Sequence, residues 1–201
     1  SGNQARVVSN LIDDKFEIIG YAITKKITLK KLNRKSIFFL DKKIHEKIKI
    51  SKKIYGIIAV GDNYIRKKIF DEVNKINLKI KWINIISKRA IISKNVKIGE
   101  GSLVMPGCII NNDTVIKNHC IINTGSIIEH DNYFDDFAGC GPRVVTGGNV
   151  RIGKCSYIGI GSVVKEKISV DENVNIGGNS FVNKNCRKNS LYYGNPVKLI
   201  S

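Results

Sequence analysis

From Ala90 the chain can be cut into sixes without a gap, from AIISKN (90–95) to SFVNKN (180–185). The third places read Ile92, Ile98, Val104, Ile110, Ile116, Ile122, Ile128, Phe134, Cys140, Thr146, Ile152, Ile158, Val164, Val170, Ile176 and Val182, so 13 of 16 are Ile or Val. The first place is mostly small. On an α-helix, six steps of about 100° land about 240° away and would spread the isoleucines around three sides. On strands, six steps return to the same face. Gly or Asn closes many hexads and suits a tight corner. The pattern predicts a parallel β-helix of hexapeptide repeats, three hexads to a coil of 18 residues, about five coils in all. Beyond Asn185, "LYYGNPVKLI" breaks the period and reads as a tail over the last coil.

Residues 1–89 follow other periods. "FEIIGYAI" (Phe16–Ile23) and "YGIIAVG" (Tyr55–Gly61) are short apolar runs bounded by turn residues, read as buried strands. "NYIRKKIFDEVNKI" (Asn63–Ile76) carries Ile65, Ile69, Val73 and Ile76 at helical spacing, and "NQARVVSNLI" (Asn3–Ile12) could open another helix. Strand–helix alternation predicts a small parallel α/β domain of Rossmann-like layout over 1–84, followed by the β-helix over 85–201. In such a sheet ligands sit at the carboxyl ends of the strands. "AVGDN" (Ala59–Asn63) is a strand end leading into a helix, a natural place for a nucleotide. The chain begins without Met, and "SGNQA" reads as a loop entering a helix, so a first strand is expected ahead of this sequence.

Composition changes little in this picture. The net charge is +17. Residues 1–89 hold 22 Lys/Arg against 8 Asp/Glu, while 90–201 hold 12 against 9. The N-terminal lysines are scattered among isoleucines, not grouped with stacking aromatics, so a solvated surface fits better than a nucleic-acid partner. No run approaches the ~18 apolar residues of a membrane span, and no secretory leader is visible. Five cysteines without a CxxC pair read as reduced, mostly buried thiols of a cytoplasmic protein.

The candidate chemistry centres on His130, flanked by Glu129 and Asp131. At the fifth place of its hexad it sits near a corner and should point outward. At neutral pH a histidine can accept a proton, and a neighbouring carboxylate can orient it. Glu129 reads as an exposed strand residue, and Asp131 could equally stabilise a turn. One coil on lies Gly148, which would leave the surface beside His130 bare. Pro142, Ile160 and Gly178 also fall 18 apart and form one column along which a long thin ligand could lie. A zinc site would need three converging histidines. His45 is in the other half, and His119 and His130 are 11 apart, not 18, so no metal is expected. A purely structural β-helix module would show a uniform outer face, which this one lacks.

Four stretches resemble, in order, the sugar O-/N-acyltransferases of the NeuD/PglD type, which have a left-handed β-helix. "SGNQARVV" looks like part of that family's Gly-rich opening, and "AVGDNYIRKKI" like its Ile-Gly-Asn/Asp-Asn-x-x-Arg element. "IINTGSIIEHD" looks like its active-site coil, and "GNPVKLI" like its closing Gly-x-Pro-Ala-Lys tail. The resemblance implies acetyl-CoA-dependent N-acetylation of a UDP-, dTDP- or GDP-linked amino sugar. It also implies a homotrimer with active sites between neighbouring β-helices. His130 matches the general base, Asp131 the acid that follows it, and Asn123 an asparagine facing the same site. Gly2, Asn3, Gly61, Asp62, Asn63 and Arg66 match nucleotide-sugar positions. Gly139, Gly148, Ile160, Gly161 and Gly178 match the CoA channel, with Pro196 near the adenine end.

Two departures bear on specificity. Many members carry a second histidine nine residues after the base, where this chain has Gly139. Either a backbone N–H holds the oxyanion there, or the acyl pocket is wider. No acid stands between Gly20 and Lys26, where UDP-sugar binders usually have Asp, and Gln4 stands where a histidine is common. Lys25 and Lys26 could attract a pyrophosphate. The base of the nucleotide stays open, and an O-acetyltransferase of the sialic-acid type remains the alternative, since both reactions need a base.

Overall fold

The computed structural model describes residues 2–14, 16–23, 31–32, 35–39, 54–76 and 79–201. Two compact units divide the chain, Ser1–Ile83 and Asn84–Ser201. The division falls one residue before the boundary expected at 84.

In the first unit the described elements are α1 (Gly2–Ser9), β1 (Gly20–Ile23), β2 (Lys31–Leu32), β3 (Lys35–Phe39), β4 (Ile54–Gly56), α2 (Asn63–Lys75) and β5 (Ile80–Trp82). β1 runs parallel to β3, and β4 runs parallel to β5 across the α2 crossover. β2 is antiparallel to β3, because a connection of two residues can only fold a chain back on itself. Among the described residues these strands form two sheets, β1-β3-β2 and β4-β5, and not the single parallel sheet expected.

Both strands predicted in this half are shorter than their apolar runs. β1 starts at Gly20 because β3 offers partners only from Ser36 to Phe39, and Ile19 is 54% exposed. β4 stops at Gly56 because β5 has three residues to pair with. α2 matches its predicted helix to within a residue. Val73, 4% exposed, packs with Ile54, Ile69, Ile76, Ile80 and Trp82, whereas Ile65 is 47% exposed.

The second unit is a parallel β-solenoid. Two-residue strands β6 to β22 recur every six residues from Ile85–Ile86 to Phe181–Val182. They stack into three faces. The first face continues into a C-terminal hairpin of β23 (Leu191–Tyr193) and β24 (Lys198–Leu199), giving eight strands, while the second has six and the third five. From β6 to β22 every pairing between coils is 18 residues apart, as in Ile109 opposite Ile127, whereas β21 meets β23 at a spacing of 16, Asn175 opposite Leu191. The repeat begins one hexad earlier than Ala90, at β6, so about six turns replace the five expected.

Each corner turns in the left-handed region of backbone space. Positive φ recurs every sixth residue from Asn95 to Asn179. Gly, Asn and Asp accept this readily, but His119, Phe137, Arg143, Cys155 and Lys167 adopt it too. A side chain there costs about 1 kcal/mol. The ladder on both sides of the corner overrides that cost. His119 and Phe137, one coil apart, stack with ring centroids 5.0 Å apart.

From Val104 to Val182 every third-place side chain is at most 2% exposed, so the isoleucine row fills the solenoid axis. The small first places have a second reason. Their hydroxyls and thiols donate to a carbonyl 15 residues on: Ser102 to Lys117 at 2.9 Å, Ser162 to Gly177 at 3.0 Å, Cys120 to Asp135 at 3.0 Å. The same oxygens accept the N–H one coil up, as Ser102 does from Cys120. These hydroxyls and thiols are thus satisfied inside the core. All five cysteines are free thiols, four of them buried.

Ile122→Ala, at a site with no exposure, should cost about 2–5 kcal/mol of unfolding free energy. Denaturant titration of the purified protein checks this.

Candidate functional site

His130 stands where the second face turns into the third. Its side chain is 56% exposed and its Nδ1 lies 2.7 Å from Asp131 Oδ2. Asp131 is the corner residue, with φ 57, and the turn aims its carboxylate back at the ring. A neutral imidazole that donates from Nδ1 to this carboxylate carries its lone pair on Nε2. The pair is therefore oriented to accept a proton from outside.

The floor beneath the ring is Gly148. A Cβ built there would lie 2.6 Å from His130 Cε1 and 2.7 Å from Nε2. The imidazole thus rests directly on backbone, and only glycine leaves it room. His130 O accepts from Asn149 N at 3.0 Å, so the same rung ladder holds the corner.

The next residue, Asn132, has no counterpart in the sequence reading. It is 1% exposed, and its amide donates to the carbonyls of Glu129 (2.7 Å), His130 (3.1 Å) and Gly147 (2.9 Å). It pins the turn that carries the base. An amide in a row of small first-place residues was the available signal. Glu129 differs from expectation as well: it is half-buried and its Oε2 accepts from Asn111 Nδ2 at 2.9 Å.

The other candidate positions of the solenoid gather elsewhere. Asn123, Pro142, Ile160, Gly161 and Gly178 lie at the edge between the first and second faces, and Gly139 is on the first face just before that edge. Asn123 Oδ1 accepts from Thr124 N at 2.8 Å. Ile160 is 58% exposed, and a Cβ on Gly178 would come within 3.1 Å of its Cγ2, so the column is continuous. Shallow grooves follow this edge. One is bordered by Pro106, Gly107, Thr124, Gly125 and Pro142, with Arg89 and Arg143 at its ends. A second, bordered by Gly161, Asn179, Phe181 and Asn195, reaches the tail next to Pro196. Within one copy, the whole second face separates this edge from His130.

In the first unit the "AVGDN" element is built around a buried guanidinium. Arg66 has no exposure and donates to Val60 O (2.9 Å), Gly61 O (3.2 Å) and Asn63 Oδ1 (2.6 Å). Asp62 caps α2, accepting from Ile65 N at 2.8 Å. Asp62, Asn63 and Arg66 therefore shape the strand-to-helix turn, while a Cβ on Gly61 would meet nothing within 4 Å. Gly2 and Asn3 form the first turn of α1, where a loop was expected. Lys25, Lys26 and His45 lie outside the described residues. Among the described residues no cluster of His, Cys, Asp and Glu could hold a metal ion, and no helix is long and apolar enough to cross a membrane.

No family model matches the chain. Solved structures do. The acetyltransferase domain of PglB from Neisseria gonorrhoeae, in complex with acetyl coenzyme A, is similar at TM-score 0.86 and 25% identity, over 99% of this chain and 95% of that one. The chain shares its fold with coenzyme A-dependent acyltransferases. PerB from Caulobacter crescentus, in complex with CoA and GDP-perosamine, has the same fold at TM-score 0.82 and 22% identity, over 100% of this chain and 94% of that one. AntD, an N-acyltransferase from Bacillus cereus in complex with dTDP-4-amino-4,6-dideoxyglucose and coenzyme A, matches at 0.54 and 20%, over 58% and 79%.

Gly148→Ala should push the imidazole off its seat and leave the solenoid intact. The His130 ring signals in a nitrogen–proton correlation spectrum should shift, and catalysis should fall about a hundredfold, with the melting midpoint little changed.

Proposed function

We propose that the protein is an acetyl-CoA-dependent N-acetyltransferase acting on the amino group of a UDP-, dTDP- or GDP-linked amino-deoxy sugar. Its β-solenoid is a left-handed β-helix, and His130 is the general base. The observation that carries this is the His130–Asp131 pair, 2.7 Å apart and seated on a bare Gly148. The whole-chain likeness to the acetyl-CoA-bound PglB domain supports the donor. The PerB and AntD complexes suggest the class of acceptor.

The chemistry follows from that pair. Nε2 of His130 takes a proton from the sugar amine as its nitrogen attacks the thioester carbon. Asp131 holds the ring and stabilises the imidazolium that forms. The nitrogen–carbon bond forms, the carbon–sulfur bond breaks, and the proton leaves with the thiol. The pantetheine arm lies along Pro142, Ile160 and Gly178, with Gly161 in the wall and Pro196 near the adenine. The N-terminal unit holds the nucleotide at the turn that Arg66 braces. Five free thiols fit a reducing compartment such as the cytoplasm. The product, an acetamido sugar on a nucleotide, suits glycan assembly.

The enzyme works as a homotrimer. The outward row of the second face is Ile91, Ile109, Ile127, Val145, Val163 and Phe181, in register and without a polar residue. Ile91 is 64% exposed and Val163 42%. By contrast, the third face presents Lys97 and Arg151. Three copies closed with their second faces inward bury this row. The same closure sets the first-to-second edge of one copy against His130 of the next, so each site is shared.

Two experiments test the reading. Free-thiol release from acetyl-CoA is measured over a panel of UDP-, dTDP- and GDP-linked amino sugars. Turnover on one member is expected, falling at least about a hundredfold in His130→Ala. No turnover, with sugar acids accepted instead, would replace this reaction by O-acetylation. Val145→Glu should convert the trimer to monomer in light scattering and abolish turnover. A wild type that is already monomeric and active would sink the shared site.

A further inference from the structure

The first face carries a tyrosine that the scheme above does not use. Tyr157 is the outward residue of the strand Tyr157–Ile158, and its partner one coil below is Gly139. Gly139 has no side chain, which gives the phenol room to lean down across its strand. A Cβ built on Gly141 would lie 2.8 Å from the Tyr157 hydroxyl oxygen and 2.7 Å from Ile160 N. The hydroxyl therefore ends at the first-to-second edge, beside Ile160, on the column assigned to the pantetheine arm.

This hydroxyl is half-buried and makes no hydrogen bond among the described residues. The phenol of Tyr192, by contrast, accepts from Arg187 N at 3.2 Å. Burial, with a smaller contribution from Cys140, pushes the Tyr157 phenol above its ordinary value, so it stays an O–H donor at neutral pH. A polar group has been carried to the edge and left for something outside the chain.

Its level along the solenoid fits the chemistry. His130 follows Thr124 by six residues and precedes Pro142 by twelve. In a ring of copies with parallel axes, His130 thus faces a level between those two rungs. The Tyr157 hydroxyl stands about one strand spacing, ~4.8 Å, higher. A thioester arriving from the tail end along Gly178 and Ile160 passes it just before reaching the base.

We propose that the Tyr157 hydroxyl donates a hydrogen bond to the thioester carbonyl oxygen of the acyl donor, opposite His130 of a neighbouring copy. This rests on the shared-site reading above. As the amine nitrogen bonds to the carbonyl carbon, the carbonyl π pair moves onto oxygen, where the O–H stabilises it. It returns as the carbon–sulfur bond breaks. His130 takes the amine proton and the departing thiolate receives it, so the products are amide and free thiol.

The test needs no acceptor. Acetyl-CoA labelled with carbon-13 at the carbonyl is bound to wild type, Tyr157→Phe and His130→Ala, and its carbonyl stretch is read by difference infrared spectroscopy. The band should lie below its free position in wild type and in His130→Ala, and return toward it in Tyr157→Phe, with affinity for CoA unchanged. Where an acceptor turns over, Tyr157→Phe should lower kcat about a hundredfold with little change in KM for acetyl-CoA. A band equally displaced in Tyr157→Phe, or undiminished kcat, overturns this inference alone. A wild type that binds no acetyl-CoA overturns the donor assignment and this inference together.

Discussion

Everything in the solenoid depends on the parallel ladder that joins each residue to the one 18 positions on. A parallel strand of two residues has almost no stability of its own. It exists because rungs above and below supply partners and because its inward side chains are removed from water. The ladder is strong enough to hold His119, Phe137 and Arg143 at left-handed corners that favour glycine or asparagine. First-place hydroxyls and thiols extend it into the core, so the interior is apolar without stranding backbone carbonyls.

The same constraint makes the candidate base precise. His130 is on a corner whose two neighbouring rungs are fixed, and Asn132 ties that corner to two carbonyls of its own rung and to that of Gly147 on the next. Its ring lies against Gly148 because stacking at 18 residues puts one fifth-place residue over the last. A mobile loop could offer the same histidine and aspartate but not the seat beneath them. The pair is exposed, which suits a group that must meet a substrate carried elsewhere.

A triangular solenoid cannot bring all its functional edges together. His130 and the Pro142–Ile160–Gly178 column are on two edges of one face, separated by the width of that six-stranded, apolar face. That arrangement makes sense once the aliphatic face is itself the joint between copies. In the proposed trimer, burying that face closes the ring and completes the site. Folding, assembly and catalysis then share one surface.

The six-residue period was plain in the sequence because stacking is local and repetitive: whether a side chain points inward, outward or sits at a corner follows from its place modulo six, and its face and edge from its place modulo 18. That arithmetic located His130 on the outside and Gly148 beneath it. The N-terminal half was less legible, since strand length there depends on how many partners β3 and β5 offer, and no run of isoleucines encodes that. Position along a repeat also says nothing of where a long side chain goes. Only the tertiary structure buried the Arg66 guanidinium as a brace of its turn, set Asn132 across three carbonyls, and leaned Tyr157 over Gly139. Those outcomes depend on the space and the hydrogen-bond partners that distant residues leave, and a linear pattern carries neither.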